Sequence, residues 1–411
     1  MNNEFKQKLQ EREFLALKDH HRIILKWATG CGKSKMAIDL INYTATTKYT
    51  KPVRILFLVA ERAHIQNWED EFHKWSLRRD KVMTDVACYA SLRKYNHFDY
   101  DIIVMDEGHH AFTEKRLALL EEMPVNPNRH VYILSATLSV AKVMMAEDIF
   151  GKFITSTVTL KDAIKNDILP DPKVYVVAME LDNLTPNQRI QVGKDPDAPM
   201  VDWKDRYKYL SKKKPCIIRC TERQKYIYYT DTMEYWKQRY ERSHNEFQRN
   251  LWVSTGSLRK RFLGELKTPV IENLIGMMPR RKRYVCFCAS VAQATQLNEE
   301  NTISSKRSSR LNQMIIDAFN KKKLHNIFAV GMITEGMNLT AIEAGIIVQL
   351  DGKERLFIQK IGRVARAESP VIYIFYYKNT QDENYLKLAL ENIDEKYIQC
   401  LDENRLGEIK L

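Results

Sequence analysis

Three groups of residues in this chain have the types and spacing to do chemistry. The first is Ala28-Thr29-Gly30-Cys31-Gly32-Lys33-Ser34, which follows the apolar run Ile23-Ile24-Leu25 and precedes Met36, Ala37, Leu40 and Ile41 at helical spacing. A strand, a glycine loop and a helix closed by Gly-Lys-Ser would turn backbone N–H groups of residues 29–34 and a helix N-terminus toward phosphates. Lys33 would reach the outer two phosphates and the Ser34 hydroxyl would bind Mg²⁺. Trp27 stands where the general form of such a loop has its first glycine. The second group is Asp106-Glu107, directly after Ile102-Ile103-Val104-Met105. Two carboxylates at that strand end suit Asp106 to hold Mg²⁺ and Glu107 to orient and deprotonate an attacking water. The third is Arg363 and Arg366, three residues apart and so on one helix face. Across a cleft, arginine stabilises charge on a transferring phosphoryl group, an effect worth about 10³–10⁵ in rate in other nucleotidases.

Several elements must position these groups. Residues 53–60, 101–105 and 131–134 read as strands buried on both faces, and a helix with Ile65, Trp68, Phe72 and Trp75 on one side follows the first of them. Alternating strands and helices, with polar residues at the strands' C-terminal ends, predict a doubly wound parallel sheet with its site along that edge. Residues 174–178 read as a further strand, and the alternation resumes at 284–288, 326–330, 345–350 and 371–377. The expected division is a first α/β domain over 1–150 and a second over 151–411. A basic, mainly helical insertion at about 180–282 interrupts the second.

The composition is that of an ordinary globular protein, with 44% hydrophobic and 28% charged residues. No apolar run reaches the roughly 18 residues needed to span a bilayer, and the N-terminus lacks the apolar core of a signal peptide. Seven scattered cysteines predict reduced thiols and a cytoplasmic location. Cys216/Cys220 and Cys286/Cys288 sit in apolar runs and read as core thiols rather than zinc ligands. The net charge of +13 points to a polyanionic partner. Most of it lies between Met200 and Arg283, which hold 21 Lys/Arg against 9 Asp/Glu.

Taken together, the motifs resemble those of a superfamily 2 helicase of the DExH type. Ala-Thr-Gly-Cys-Gly-Lys-Ser (28–34) is similar to motif I, where the first glycine is often absent. Asp-Glu-Gly-His (106–109) is similar to motif II and Ser-Ala-Thr (135–137) to motif III. Gln66-x-Trp68 resembles the helix after motif Ia in the branch of type III restriction motors and phage branch-migration helicases. Thr334-Glu335-Gly336-Met337-Asn338 is similar to motif V, although aspartate is common where Asn338 stands. Gln359-x-x-Gly362-Arg363-x-x-Arg366 is similar to motif VI.

The resemblance implies two RecA-like domains with ATP between them. Lys33, Ser34, Asp106 and Glu107 would lie on one side, with Gly336, Asn338, Gln359, Arg363 and Arg366 on the other. It also implies that His109, Ser135 and Thr137 couple the ATP site to the second domain, and that His110 is structural or partly exposed. Gln10 lies 18 residues before Ala28, roughly where many helicases place an adenine-reading glutamine, but its surroundings favour an exposed helix glutamine. The function expected is an ATP- and Mg²⁺-dependent nucleic-acid helicase or translocase, with DNA preferred over RNA. Annealing or remodelling without unwinding is the alternative. The chain would be a monomeric motor or part of a larger replication, recombination or restriction assembly, and would work in a host's cytoplasm if phage-encoded.

In the basic segment, Lys212-Lys213-Lys214, Arg259-Lys260-Arg261 and Arg280-Arg281-Lys282-Arg283 frame a region dense in rings. Cations that track a phosphate backbone, with rings for stacking, predict a nucleic-acid surface. Tyr229, Trp236 and Tyr240 fall at spacings that equally suit a packed helix face. Asp197 with Asp202-x-Lys204 mimics a metal-nuclease pattern, but no apolar strands flank it.

Overall fold

The computed structural model describes residues 3–331, 339–350, 369–391 and 393–409. Its first sheet is built from β1 (Arg22–Trp27), β2 (Val53–Val59), β3 (Val82–Cys88), β4 (Ile102–Asp106), β5 (His130–Leu134) and β6 (Ile154–Val158). The strands are all parallel, in the order β3-β2-β4-β5-β1-β6. Side chains alternate between its two faces. Ile23, Leu25 and Trp27 pack with α1 (Asn3–Leu17), α2 (Lys33–Thr47) and α3 (Ala63–Lys74). Ile24, Ile103 and Ile133 pack with α4 (Glu114–Glu121) and α5 (Val140–Phe150) on the other face. Burial on both faces explains why these strands are nearly continuous apolar runs.

After the short helix α6 (Leu160–Lys165), β7 (Lys173–Met179) enters a second sheet. Strand β6 belongs to the first sheet, so the first sheet runs past 150 and the change of sheet falls between Val158 and Lys173. The sequence reading missed β6 because Ile-Thr-Ser-Thr-Val is mostly polar, and Ser156 is buried against Trp27.

The insertion begins with a three-stranded sheet of β8 (Gln188–Val192), β9 (Met200–Asp202) and β10 (Cys216–Cys220), in the order β8-β10-β9. A one-turn helix, α7 (Tyr207–Leu210), precedes β10. Helices α8 (Glu222–Ser243) and α9 (Glu246–Leu266) then form an antiparallel hairpin, followed by α10 (Thr268–Met277). Thr221 and Gln224 close the start of α8 as a reciprocal capping box. His244, left-handed at φ 50°, ends that helix, and Asn245 caps the next. The insertion thus carries a small sheet as well as the expected helices.

The second sheet adds β11 (Tyr284–Phe287), β12 (Thr302–Ser304), β13 (Asn326–Val330), β14 (Ala344–Ile347), β15 (Val371–Tyr377) and β16 (Ile398–Asp402). All pairings are parallel, in the order β12-β13-β11-β14-β15-β7-β16. Among the described residues, helices α11 (Val291–Asn298), α12 (Ser309–Asn320) and α13 (Gln381–Leu390) accompany it. The hairpin is rooted there by Lys267, which is fully buried. Its ammonium donates to the Val348 carbonyl at 2.9 Å, the Phe375 carbonyl at 2.8 Å and Asp382 Oδ2 at 2.7 Å. Such a buried cation is tolerable only because every donor has a partner. Among the described residues no helix is long and apolar enough to cross a membrane.

Candidate active site

Strands β1 and β4 lie on either side of β5, so the loop after Trp27, the Asp106-Glu107 pair and Ser135 emerge side by side at one sheet edge. A cleft of about 1150 Å³ opens there, and Lys33, Ser34, Asp106, Glu107, Lys6 and Gln10 all line it. Gly30 and Gly32 take φ of 96° and 98°, which only glycine adopts without strain, and Gly32 caps the N-terminus of α2. The free N–H groups of the first turn of α2 therefore begin at Lys33, where they and the helix dipole favour an anion. Lys33 Nζ lies over the loop and donates to the Trp27 carbonyl at 2.9 Å. Burial pushes the Cys31 thiol up to about 11 despite the nearby Lys33 and Lys6 cations, so it is a neutral wall of the loop.

Helix α1 packs against this loop from the other side. Gln10 is buried, not exposed, and its Nε2 approaches the Cys31 carbonyl at 3.5 Å. Lys6 Nζ donates to the Gly30 carbonyl at 2.6 Å. Lys6 was not singled out from sequence, since a lysine on a charged helix carries no signal of its own. Trp27 is fully buried, and its indole N–H donates to Ser156 Oγ at 2.8 Å. Ser156 in turn donates to Glu13 Oε2 at 2.7 Å. The residue in place of the first loop glycine thus binds the edge strand and α1 together.

At the end of β4, Asp106 Oδ2 accepts from the Trp68 indole N–H at 2.9 Å, and Oδ1 accepts from the Glu107 backbone N–H at 3.0 Å. Glu107 is left-handed at φ 45°, a conformation that costs a non-glycine residue about 1–2 kcal/mol and is often kept at functional sites. Gly108 follows because no side chain fits: an added Cβ would lie 2.3 Å from Ile133 Cγ2. His109 is buried with Nδ1 3.4 Å from Glu107 Oε2 and 3.3 Å from Ser135 Oγ. Ser135 Oγ accepts from the Thr137 N–H at 3.2 Å, and Lys142 donates to the His109 carbonyl. His110 is half-buried, its ring 4.2 Å from that of His109. His109, Ser135 and Thr137 are therefore joined by hydrogen bonds, with the Glu107 carboxylate 3.4 Å from the His109 ring. An ammonium, a hydroxyl and two carboxylates grouped around a helix N-terminus fit a magnesium nucleotide, with donors for phosphate and hard oxygen ligands for the cation.

Gly336, Asn338, Gln359, Arg363 and Arg366 lie outside the described residues. Among the basic clusters, Lys212, Lys213 and Lys214 are exposed on the turn before β10, with Lys213 left-handed at φ 52°. Lys260 is half-buried and Arg261 exposed. Arg259 departs from the expected nucleic-acid surface: it is buried in the hairpin seam, donating to Thr230 Oγ1 at 3.2 Å beneath the Tyr226 ring. Arg283 is likewise buried, donating to the carbonyls of Ala341, Thr340 and Phe319 at 2.8–2.9 Å. A cluster of like charges in sequence cannot show which member the fold turns inward. The Tyr229–Phe262 and Tyr240–Trp252 contacts, at 5.9 and 6.0 Å, put both tyrosines in the hairpin seam. Asp202 is engaged by Arg219 at 2.9 Å.

Residues 2–87 match the family model described as type III restriction enzyme, res subunit, and residues 267–368 match the helicase conserved C-terminal domain. No curated protein matches the chain. In structure the chain is similar to S. cerevisiae Dbp5 bound to RNA and ADP BeF3, with a TM-score of 0.60 and 12% identity over 98% of this chain and 91% of that one. It is also similar to the Pyrococcus furiosus Hef helicase domain, with a TM-score of 0.51 and 15% identity over 94% and 98% of the two chains. The DNA-bound ATP-dependent type ISP restriction-modification enzyme LlaBIII gives a TM-score of 0.53 and 14% identity over 97% of this chain but 31% of that one. Both helicase segments are matched in order on two parallel-sheet domains, and these matches support a superfamily 2 helicase of the restriction-subunit type, a nucleic-acid-dependent ATP hydrolase.

Proposed function

We propose that this helicase is an ATP- and Mg²⁺-dependent motor on DNA, with hydrolysis in the cleft before β1 and β4 driving strand translocation, unwinding or branch remodelling. The observation that carries the reading is that Lys33, Ser34, Asp106 and Glu107 line one cleft at one sheet edge. Lys33 holds the outer phosphates, and residues 29–32 offer backbone N–H groups to them. Ser34 and Asp106 would hold Mg²⁺, which when bound neutralises phosphate charge. Glu107 orients the water and takes its proton. Arg363, Arg366 and Gln359 complete the site from the second domain, with Gly336 and Asn338 beside the nucleotide. The contacts from Glu107 through His109 to Ser135 and Thr137 would carry the state of the site toward the second domain.

DNA is preferred on the match to a restriction-subunit model over residues 2–87. Lys212, Lys213, Lys214, Lys260 and Arg261 are the proposed contacts to its backbone. As proposed, the motor is cytoplasmic, in a host's cytoplasm if phage-encoded, and acts alone or within a replication, recombination or restriction assembly.

Phosphate release measured with single-stranded, duplex and branched DNA and with RNA tests the reading. Stimulation by DNA over RNA is expected, and stimulation by RNA alone would overturn the DNA assignment. Strand displacement on a forked duplex separates unwinding from remodelling.

A further inference from the structure

Trp68 does more than fill the core. Its ring is buried against Phe57 and Phe72, with centroids 5.0 and 5.7 Å away, contacts that phenylalanine could supply as well. Its N–H is aimed out of that cluster, at Asp106 Oδ2, 2.9 Å away and 38 residues on in the chain. The Glu107 backbone N–H takes the other carboxylate oxygen at 3.0 Å. From behind, the Tyr89 hydroxyl donates to the Asp106 main-chain carbonyl at 2.8 Å. The aspartate is thus held at three oxygens, and each carboxylate oxygen keeps a lone pair for a ligand in the cleft. Outer donors of this kind fix the rotamer of a ligating group, and losing one typically weakens metal binding 10- to 100-fold.

We infer that Trp68 is a positioning residue for Asp106: its indole N–H sets the carboxylate in the orientation that receives the nucleotide's magnesium. This rests on the reading of Asp106 as the magnesium-holding carboxylate. It links α3, the helix that follows β2, to the end of β4 through a single bond. Tryptophan suits this position because its ring combines the apolar bulk facing Phe57 and Phe72 with an N–H donor at its edge.

The test is a magnesium titration of fluorescent ADP binding, started in EDTA, on the full chain. Wild type, D106N, W68F, W68M and W68H are compared, with thermal melting to check each fold. W68F keeps the ring packing without the donor. W68M is a second donor-less variant whose flexible side chain refills the space if phenylalanine does not fit. W68H keeps a ring N–H. In W68F and W68M the metal-free ADP affinity should stay within about twofold of wild type, while the magnesium midpoint rises about tenfold. W68H should fall between them and wild type. A purely structural role would weaken metal-free and metal-bound ADP alike. The inference is overturned if D106N loses the magnesium dependence while the folded donor-less variants keep the wild-type midpoint. If D106N itself keeps the wild-type midpoint, the reading of Asp106 and this inference fall together.

Discussion

Gly32 and Gln10 touch across the phosphate loop: a Cβ built on Gly32 would lie 2.1 Å from Gln10 Nε2. The glycine is needed twice over, for its φ of 98° and for the space the glutamine occupies. Gly32→Ala should therefore cost about 1–2 kcal/mol from the left-handed backbone alone, and should push Gln10 off the Cys31 carbonyl. Gln10→Ala leaves the backbone unstrained. Thermal melting should show Gly32→Ala clearly destabilised and Gln10→Ala nearly unchanged, with ADP affinity weakened in both.

Lys33→Ala and Glu107→Gln should separate binding from chemistry. The first removes the cation over the loop and with it nucleotide affinity. The second keeps shape and polarity at Glu107 but removes the base, and should lower turnover by at least about 100-fold while ATP still binds. Nucleic-acid binding should persist in both. Phosphate release, nucleotide binding and a DNA mobility shift, measured in parallel, check this. Undiminished turnover in either variant would overturn the proposed roles.

What the sequence revealed and what it hid follow from range. Gly-Lys-Ser after an apolar run, and Asp-Glu after another, are local patterns, and their strands flank β5 as a doubly wound order requires. The relationships that tune the site are not local. Gln10 reads as a surface residue on a charged helix until α1 is seen packed on the loop 21 residues later. Trp68 reads as core, and nothing in its neighbourhood names Asp106 as its partner. The strands that went unread, β3, β6, β8–β10, β12 and β16, are short or half-polar, so their period-two signal is weak. Arg259 and Arg283 were read with their basic neighbours because composition cannot tell which cation the fold turns inward.

His130 predicts an acid-sensitive first domain. It is buried against His21, with ring centroids 4.2 Å apart, and its Nδ1 lies 3.2 Å from the Tyr132 hydroxyl, which also bonds Thr44. Burial, then the neighbouring His21 and Lys48, pull its pKa down from 6.5 to about 4. The folded form therefore holds the ring neutral, while the unfolded chain takes up a proton below pH 6.5. The contribution is full above that pH and is lost as pH falls toward 4, amounting to about 3 kcal/mol. Urea unfolding of wild type and His130→Gln between pH 4 and 7.5 checks it. The difference between the two should shrink as pH falls, and a constant difference would refute the assignment.

Two basic clusters that look alike in sequence should behave in opposite ways. Lys212, Lys213 and Lys214 are exposed on one turn, where like charges gain nothing from one another, and a polyanion would offset that repulsion. Replacing all three with alanine should leave stability within about 0.5 kcal/mol. It should also flatten the dependence of DNA affinity on salt, by about 0.7–0.9 in log–log slope for each phosphate no longer neutralised. Arg259→Ala removes a buried guanidinium bonded to Thr230 and should cost about 1–3 kcal/mol. Its salt slope should match wild type so long as the hairpin stays folded. Urea melts, with DNA binding measured at several salt concentrations, decide between the two. A lysine triple variant with an unchanged slope would remove that turn from the nucleic-acid surface.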